Sequence, residues 1–191
     1  MRILVAGATG VLGRATLSNL SGHEVVGLTR SRDKLDSLRD LGAEPVLCDV
    51  YVYETLLRVT RRARPRIVAN FVTALSAGSA EANNRARREG GANLLRASQA
   101  SAAARLVVES VAFALEGDAA QAVEELEQAS RGFDGESVIL RFGRLWGPGT
   151  AYRARPQPPT VHIDDAGADA ARLLIHGRPG TYLVSETEVP G

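Results

Sequence analysis

The residues at which this sequence could do chemistry begin at position 7. Gly7-Ala-Thr9-Gly10-Val11-Leu12-Gly13 follows a short apolar run, Ile3 to Ala6. It precedes an amphipathic stretch with Leu12, Leu17 and Leu20 on one helical face. Gly7 permits a tight turn out of a strand. Gly10 has no Cβ to hold a pyrophosphate away from the backbone amides, and Gly13 lets a helix pack close to a sheet. A helix N-terminus then offers free N–H groups and partial positive charge to a phosphate. The spacing is G-x-x-G-x-x-G rather than G-x-G-x-x-G, so the strand–turn–helix setting carries the assignment to a dinucleotide.

The second apolar run, His23 to Thr29, ends where such a site selects its nucleotide. An acid there would accept hydrogen bonds from both ribose hydroxyls. Here Thr29 is followed by Arg30, Ser31 and Arg32. Two guanidinium groups and no carboxylate favour a 2′-phosphate, hence NADP(H) over NAD(H). Further along, polar groups collect where strand patterns end. They are Asn70 and Thr73, Glu109 and Ser110, Arg144 and Trp146, and His162 with Asp164 and Asp165. A histidine beside carboxylates suits acid–base work, and equally suits a helix cap in which Asp164 caps and His162 makes a structural hydrogen bond. No closely spaced set of His, Cys and carboxylates resembles a metal site.

The elements that must position these groups alternate. Strand patterns run from His23 to Thr29, Glu44 to Cys48, Arg66 to Phe71, Arg105 to Ser110, Ser137 to Phe142 and Thr181 to Val184. Helical patterns lie between them: Ser31 (as N-cap) to Leu41, Tyr51 to Ala63, Ser79 to about Ala104 with an interruption at Gly90-Gly91, Ala119 to Ser130 and Asp165 to Ile175. Strands separated by helices mean βαβ units. The expected fold is α/β and Rossmann-like: a doubly wound, mainly parallel sheet with helices on both faces.

At 191 residues the chain reads as one domain, 1–191, with about 150–191 a residual substrate-side segment. Hydrophobic residues at 45% and charged residues at 24% describe a globular chain without a membrane span or a signal peptide. The sole cysteine, Cys48, precludes an internal disulfide and fits a reducing cytoplasm. A net charge of +1 gives no basic field for nucleic acid. Of the 23 Lys+Arg residues, only Lys34 is lysine.

With Ala8-Thr9 inside its glycine loop, the chain resembles the atypical and extended short-chain dehydrogenase/reductases, the epimerase/dehydratase-like branch. Other landmarks follow in family order. Asp49-Val50 looks like the pair that contacts adenine. Asn70-Phe71-Val72 occupies the place of the segment under the nicotinamide ribose. Asn84 to Ala97 is similar to the family's Asn…Gly-x-x-Asn-Leu-Leu-x-Ala helix. Arg105 to Ser110 resembles the strand that ends in the catalytic serine. Leu140-Arg…Trp146-Gly-Pro-Gly149 and Val161-His-Ile-Asp-Asp165 match two later blocks. The resemblance implies cofactor contacts from Gly7, Thr9, Gly10, Val11, Leu12, Gly13, Arg30, Arg32, Asp49, Val50, Asn70, Phe71 and Val72. It also implies a homodimer through the helices after the fourth and fifth strands.

Two departures shape the functional expectation. Reductases of this superfamily use Tyr-x-x-x-Lys, in which the lysine lowers the tyrosine pKa. None of Tyr51, Tyr53, Tyr152 and Tyr182 has a lysine four residues on. The stretch between Gly149 and Val161 is short and proline-rich, which implies a truncated substrate lobe. The expectation is an enzyme acting on a small organic metabolite in a biosynthetic pathway. Its chemistry would be non-standard, with redox-neutral isomerisation, dehydration or cyclisation as candidate reactions. The surviving candidate groups for catalysis are Ser110, His162 and Glu109. A non-catalytic NADP(H)-binding sensor or partner protein, and an NADPH-dependent reductase using an unusual acid, stay open beside it.

Overall fold

In the computed structural model, which describes residues 1–74 and 79–186, each apolar run becomes a strand. In chain order they are β1 (Arg2–Ala6), β2 (Glu24–Thr29), β3 (Ala43–Leu47), β4 (Ile67–Asn70), β5 (Arg105–Val111) and β6 (Glu136–Phe142). Two short strands, β7 (Arg144–Trp146) and β8 (Thr160–His162), precede the last, β9 (Gly180–Val184). Seven of them form one sheet in the order β3-β2-β1-β4-β5-β6-β9, and every pairing in it is parallel. Strand order reverses between β1 and β4, where successive connections leave in opposite directions. A crevice therefore opens at the carboxyl ends of these two strands.

Helices cover both faces: α1 (Val11–Leu17), α2 (Leu35–Asp40), α3 (Tyr53–Ala63), α4 (Ala80–Arg85), α5 (Gly91–Gln99), α6 (Gly117–Arg131) and α7 (Ile163–His176). Alternation along the strands separates the two cores. Ile3 and Val5 face one way with Leu12, Leu17, Val107, Leu140 and Leu174. Leu4 and Ala6 face the other with Val26, Leu56, Val68, Leu94 and Leu106. Buried on both faces, such strands read as continuous apolar runs. The first core closes where α7 crosses α1. A Cβ on Gly167 would lie 2.6 Å from the Ala15 Cβ, so glycine sets that distance.

Several boundaries differ from expectation for identifiable reasons. Gly90-Gly91 does not interrupt its helix. The backbone stays α-helical at both residues, and a π-helical segment, Ala86–Gly90, joins α4 to α5. Packing overrides propensity here: a Cβ on Gly91 would come within 2.6 Å of Leu126 Cδ1. The helix ends at Gln99 rather than Ala104. Ser31 makes no side-chain cap; a 3-10 turn, Arg32–Lys34, leads into α2 instead. The stretch after Trp146 returns to form β8, whose parallel pairing with β7 is held by contacts distant in sequence.

The interior also holds a carboxylate. Glu127 of α6, 3% exposed, accepts hydrogen bonds from Ser110 Oγ at 2.6 Å, Arg141 Nε at 2.8 Å and Arg131 Nη2 at 2.7 Å. The cluster fastens α6 to neighbouring strands β5 and β6. Burial works to raise the Glu127 carboxyl, but bonds from Arg141, Ser110 and Arg131 outweigh it and hold it at about 2. A carboxyl depressed in the folded state contributes stability above its usual value near 4.5, and loses it as pH falls toward 2. Both guanidinium groups reach water, so Glu127→Gln should cost about 1–2 kcal/mol at neutral pH, less than a fully enclosed pair. Urea unfolding should show the gap between parent and variant closing from pH 4.5 to 2. A gap constant across that range would remove Glu127 from the stability account.

Candidate functional site

The crevice floor is built by close backbone approaches. Gly7 has φ +79°, and a Cβ there would sit 2.1 Å from the Phe71 carbonyl oxygen. One on Gly13 would sit 2.2 Å from the Gly7 carbonyl oxygen. Gly10 is different. Its backbone is extended, and a Cβ would meet the Gly7 oxygen at 3.1 Å and otherwise project into open space. The protein's own packing therefore requires Gly7 and Gly13, and leaves Gly10 free to admit a ligand. Gly10 begins α1, which has no side-chain cap and no acid in its first turn. Half-buried Thr9 and Val11 flank the opening, with Leu12 buried beneath. This cradle, which a Cβ would fill, fits a pyrophosphate.

On the β2–β3 side, the Asp49 carboxylate accepts the Tyr51 N–H at 3.0 Å, forming a turn. Asn93 donates its amide to the Val50 carbonyl at 2.9 Å, and Gly90 leaves room for the Val50 side chain. The Gly90-x-x-Asn93 spacing thus has a local cause: it clamps the Asp49-Val50 loop onto α5. Arg30 lies 5.9 Å from the Tyr51 ring centroid and Arg85 lies 4.4 Å from it. Arg30 and Arg32 are exposed, and neither forms an ion pair among the described residues.

At the end of β4, buried Asn70 accepts the Val72 N–H at 3.2 Å, a turn that fixes Phe71 against Gly7. Val72 is half-buried and Thr73 exposed. Two expected catalytic groups are otherwise engaged. Ser110 is 3% exposed and donates to Glu127 on the α6 face, so its hydroxyl is a structural donor. His162 accepts the Asp164 N–H on Nδ1 at 3.4 Å and stacks edge-on against Trp146 at 4.6 Å. It is therefore the cap of α7, a role expected of Asp164, and its ring also lies against Gly147. Glu109 alone of the three remains: half-buried, and making no hydrogen bond through its carboxyl among the described residues. Burial pushes that carboxyl up to about 7, with the Arg87 guanidinium acting in the opposite sense.

Three functional-edge residues were not singled out by sequence patterning. Glu186 accepts from Trp146 Nε1 at 2.8 Å, Thr160 Oγ1 at 3.0 Å and the His162 N–H at 3.1 Å, and it pairs with Arg155 at 2.7 Å. It ties β7, β8 and the segment after β9 together. Burial works to raise its carboxyl, and these donors reverse that and lower it. Glu127 is the second and Arg87 the third. Local spacing offers Glu127 only Arg131 at i+4; its other partners lie 14 and 17 residues away, and those of Glu186 lie up to 40 away. Arg87 stands at an inward helical position among surface arginines, a signal that i, i+4 counting from Asn83 could have raised.

A profile of the NAD dependent epimerase/dehydratase family matches residues 3–128. Among curated proteins, a 3-diazoavenalumate denitrifying reductase from Streptomyces sp is 35% identical over 182 residues, covering 80% of this chain and 59% of that protein. The chain thus spans little more than half the length of that relative. Among solved structures, a putative NAD-dependent epimerase/dehydratase from Bacillus halodurans superposes with a TM-score of 0.82 at 18% identity, covering 100% of this chain and 96% of that one. The Thermus thermophilus UDP-glucose 4-epimerase, in complex with NAD, gives 0.78 at 21% identity, covering 98% and 78%. The Bordetella bronchiseptica enzyme WbmH, in complex with NAD+, gives 0.79 at 15% identity, covering 96% and 75%. The match through residues 3–128 spans the glycine loop, the Asp49-Val50 turn, the Asn70 turn and Glu109, and by it the chain belongs to the NAD dependent epimerase/dehydratase family.

Proposed function

We propose that this protein is a cytoplasmic NAD(P)H-dependent reductase of a small organic metabolite, acting on an acceptor that develops no alkoxide. The observation that carries the reading is its 35% identity to a denitrifying reductase of a diazo compound. The absence of Tyr-x-x-x-Lys supports it. Reducing a carbonyl creates an oxyanion that a tuned phenol must protonate, whereas a diazonium accepts hydride and becomes neutral. The overall balance is aryl diazonium plus NADPH giving arene, dinitrogen and NADP+.

A bound nicotinamide dinucleotide supplies the hydride. The chain's own residues do the rest. Gly10 and the first turn of α1 receive the pyrophosphate. Val50, with Asp49 behind it, forms the adenine wall, and Asn70 to Val72 form the floor at the other end. Arg30 and Arg32 stand ready for a 2′-phosphate, which supports NADP(H) over NAD(H). Glu109 holds a proton near neutral pH at the carboxyl edge of β5. A homodimer through α4–α5 and α6 belongs to the same reading.

The test is turnover of NADPH with 4-diazobenzoate, measured as cofactor oxidation and dinitrogen release against a protein-free control. Equal yields of both above control are expected, with no comparable oxidation on simple ketones. Gly10→Val should abolish cofactor binding while circular dichroism stays native. Cofactor binding without turnover on any acceptor would favour the sensor role, and substrate conversion without net cofactor oxidation would favour redox-neutral chemistry.

Cofactor choice has its own test. Arg30→Ala should weaken NADPH by about 1.5–3 kcal/mol, roughly ten- to a hundredfold, and NADH far less. An unchanged NADPH/NADH affinity ratio would leave Arg30 a solvated side chain.

A further inference from the structure

Tyr51 is shared by two arginines that the chain brings from different elements. Arg30 follows β2, and its guanidinium carbon lies 5.9 Å from the Tyr51 ring centroid. That of Arg85, the last residue of α4, lies 4.4 Å from the same centroid. Tyr51 is itself fixed in place, since its N–H donates to Asp49 at 3.0 Å and Asn93 holds the Val50 carbonyl at 2.9 Å. An aromatic face attracts a cation through its quadrupole. Two cations on one ring also repel each other, and Arg30 has no ion pair among the described residues to offset this.

The helix is shaped for the contact. Residues five apart stand about 140° apart around a regular α-helix. Arg85 and Gly90 nevertheless both lie against Tyr51: a Cβ on Gly90 would stand 3.8 Å from Tyr51 Cε1. The π-helical turn Ala86–Gly90 accounts for this, because a wider turn returns position i+5 to nearly the same side. The acidic partner of Arg85 is Glu89, at 2.9 Å, and both side chains are more than half exposed. An exposed pair of this kind is weak and yields to a stronger anion.

We propose that Arg85 is a second arginine for the 2′-phosphate of the cofactor, joining Arg30 at the adenosine end of the crevice. Tyr51 is the positioning residue that holds both guanidinium groups. Topology sets the place: the end of β2 is where a dinucleotide presents its ribose 2′ position, and the Asp49-Val50 turn before Tyr51 walls the adenine. A phosphate monoester carries a charge of about −1.5 to −2 and three acceptor oxygens, more than one guanidinium satisfies. A hydroxyl at the same place brings no charge and gains little from a second arginine. Arg85 exchanges the Glu89 carboxylate for the phosphate on binding. The inference rests on the NADP(H) reading for what enters the site, and on the shared ring for which residues meet it.

Adenosine 2′,5′-bisphosphate and adenosine 5′-monophosphate differ by that phosphate alone, and each is titrated calorimetrically into the full chain. The parent should prefer the bisphosphate by at least about tenfold. Arg85→Ala should remove most of that preference while the monophosphate binds as before. Glu89→Gln should act the opposite way, raising bisphosphate affinity about two- to fivefold by freeing Arg85, and that gain should vanish in the Arg85→Ala background. Tyr51→Leu should weaken the preference, and Tyr51→Phe, which keeps the ring, should restore it. Arg62→Ala, an exposed change in the last turn of α3, should alter neither ligand. A preference intact in Arg85→Ala, or a Glu89→Gln gain that persists without Arg85, overturns the inference and leaves the NADP(H) reading standing. Equal weakening of both ligands in Arg85→Ala also overturns it, by giving Arg85 to the adenine. Full preference in Tyr51→Leu overturns the positioning role of the ring. No preference in the parent fails the NADP(H) reading itself, and the inference falls with it.

Discussion

The contact on which the rest depends is that of Gly7 with the backbone of Phe71. A Cβ at position 7 would stand 2.1 Å from the Phe71 oxygen, so no other residue lets the turn after β1 meet the turn after β4. Meeting there, the two turns close the base of the crevice at the point where strand order reverses. Gly13 then seats α1 on the same turn, and Gly167 seats α7 on α1. Three close approaches, each impossible with a side chain, stack from the sheet outward. Gly10 is left as the opening they surround.

The far half of the sheet is organised by different physics. Where β5, β6 and the segment after β9 meet helices and short strands, one buried and one half-buried carboxylate act as fasteners. Glu127 gathers Ser110, Arg131 and Arg141, and Glu186 gathers Arg155, Trp146, Thr160 and His162. Each is depressed by its donors despite partial or full enclosure. Glu109 of β5 has no donor to its carboxyl among the described residues, and that carboxyl moves the opposite way. That contrast separates the fastening carboxylates, held down by their donors, from one in which burial prevails. Ser110 is spent on the Glu127 fastener, and the His162 ring is taken up instead by the cap of α7.

How much of this was legible in the sequence follows from the range of each interaction. The glycine loop and the alternation of strands and helices depend on neighbours in sequence or on a strict pattern, and each could be read; the Asn93 helix was legible only as a family resemblance, and its clamp on Val50, 43 residues away, was not. The face of Ser110 was readable too. Leu106, Val108 and Ser110 alternate with Val107, Glu109 and Val111, which divides them between the two sides of β5. That parity places Ser110 with α6 and was not used. Gly90-Gly91 misled because propensity speaks of a break while Leu126 and Val50 demand the space. The β7–β8 pairing and the Glu186 hub were beyond reach, since nothing within a dozen residues of Glu186 names Trp146 as its partner.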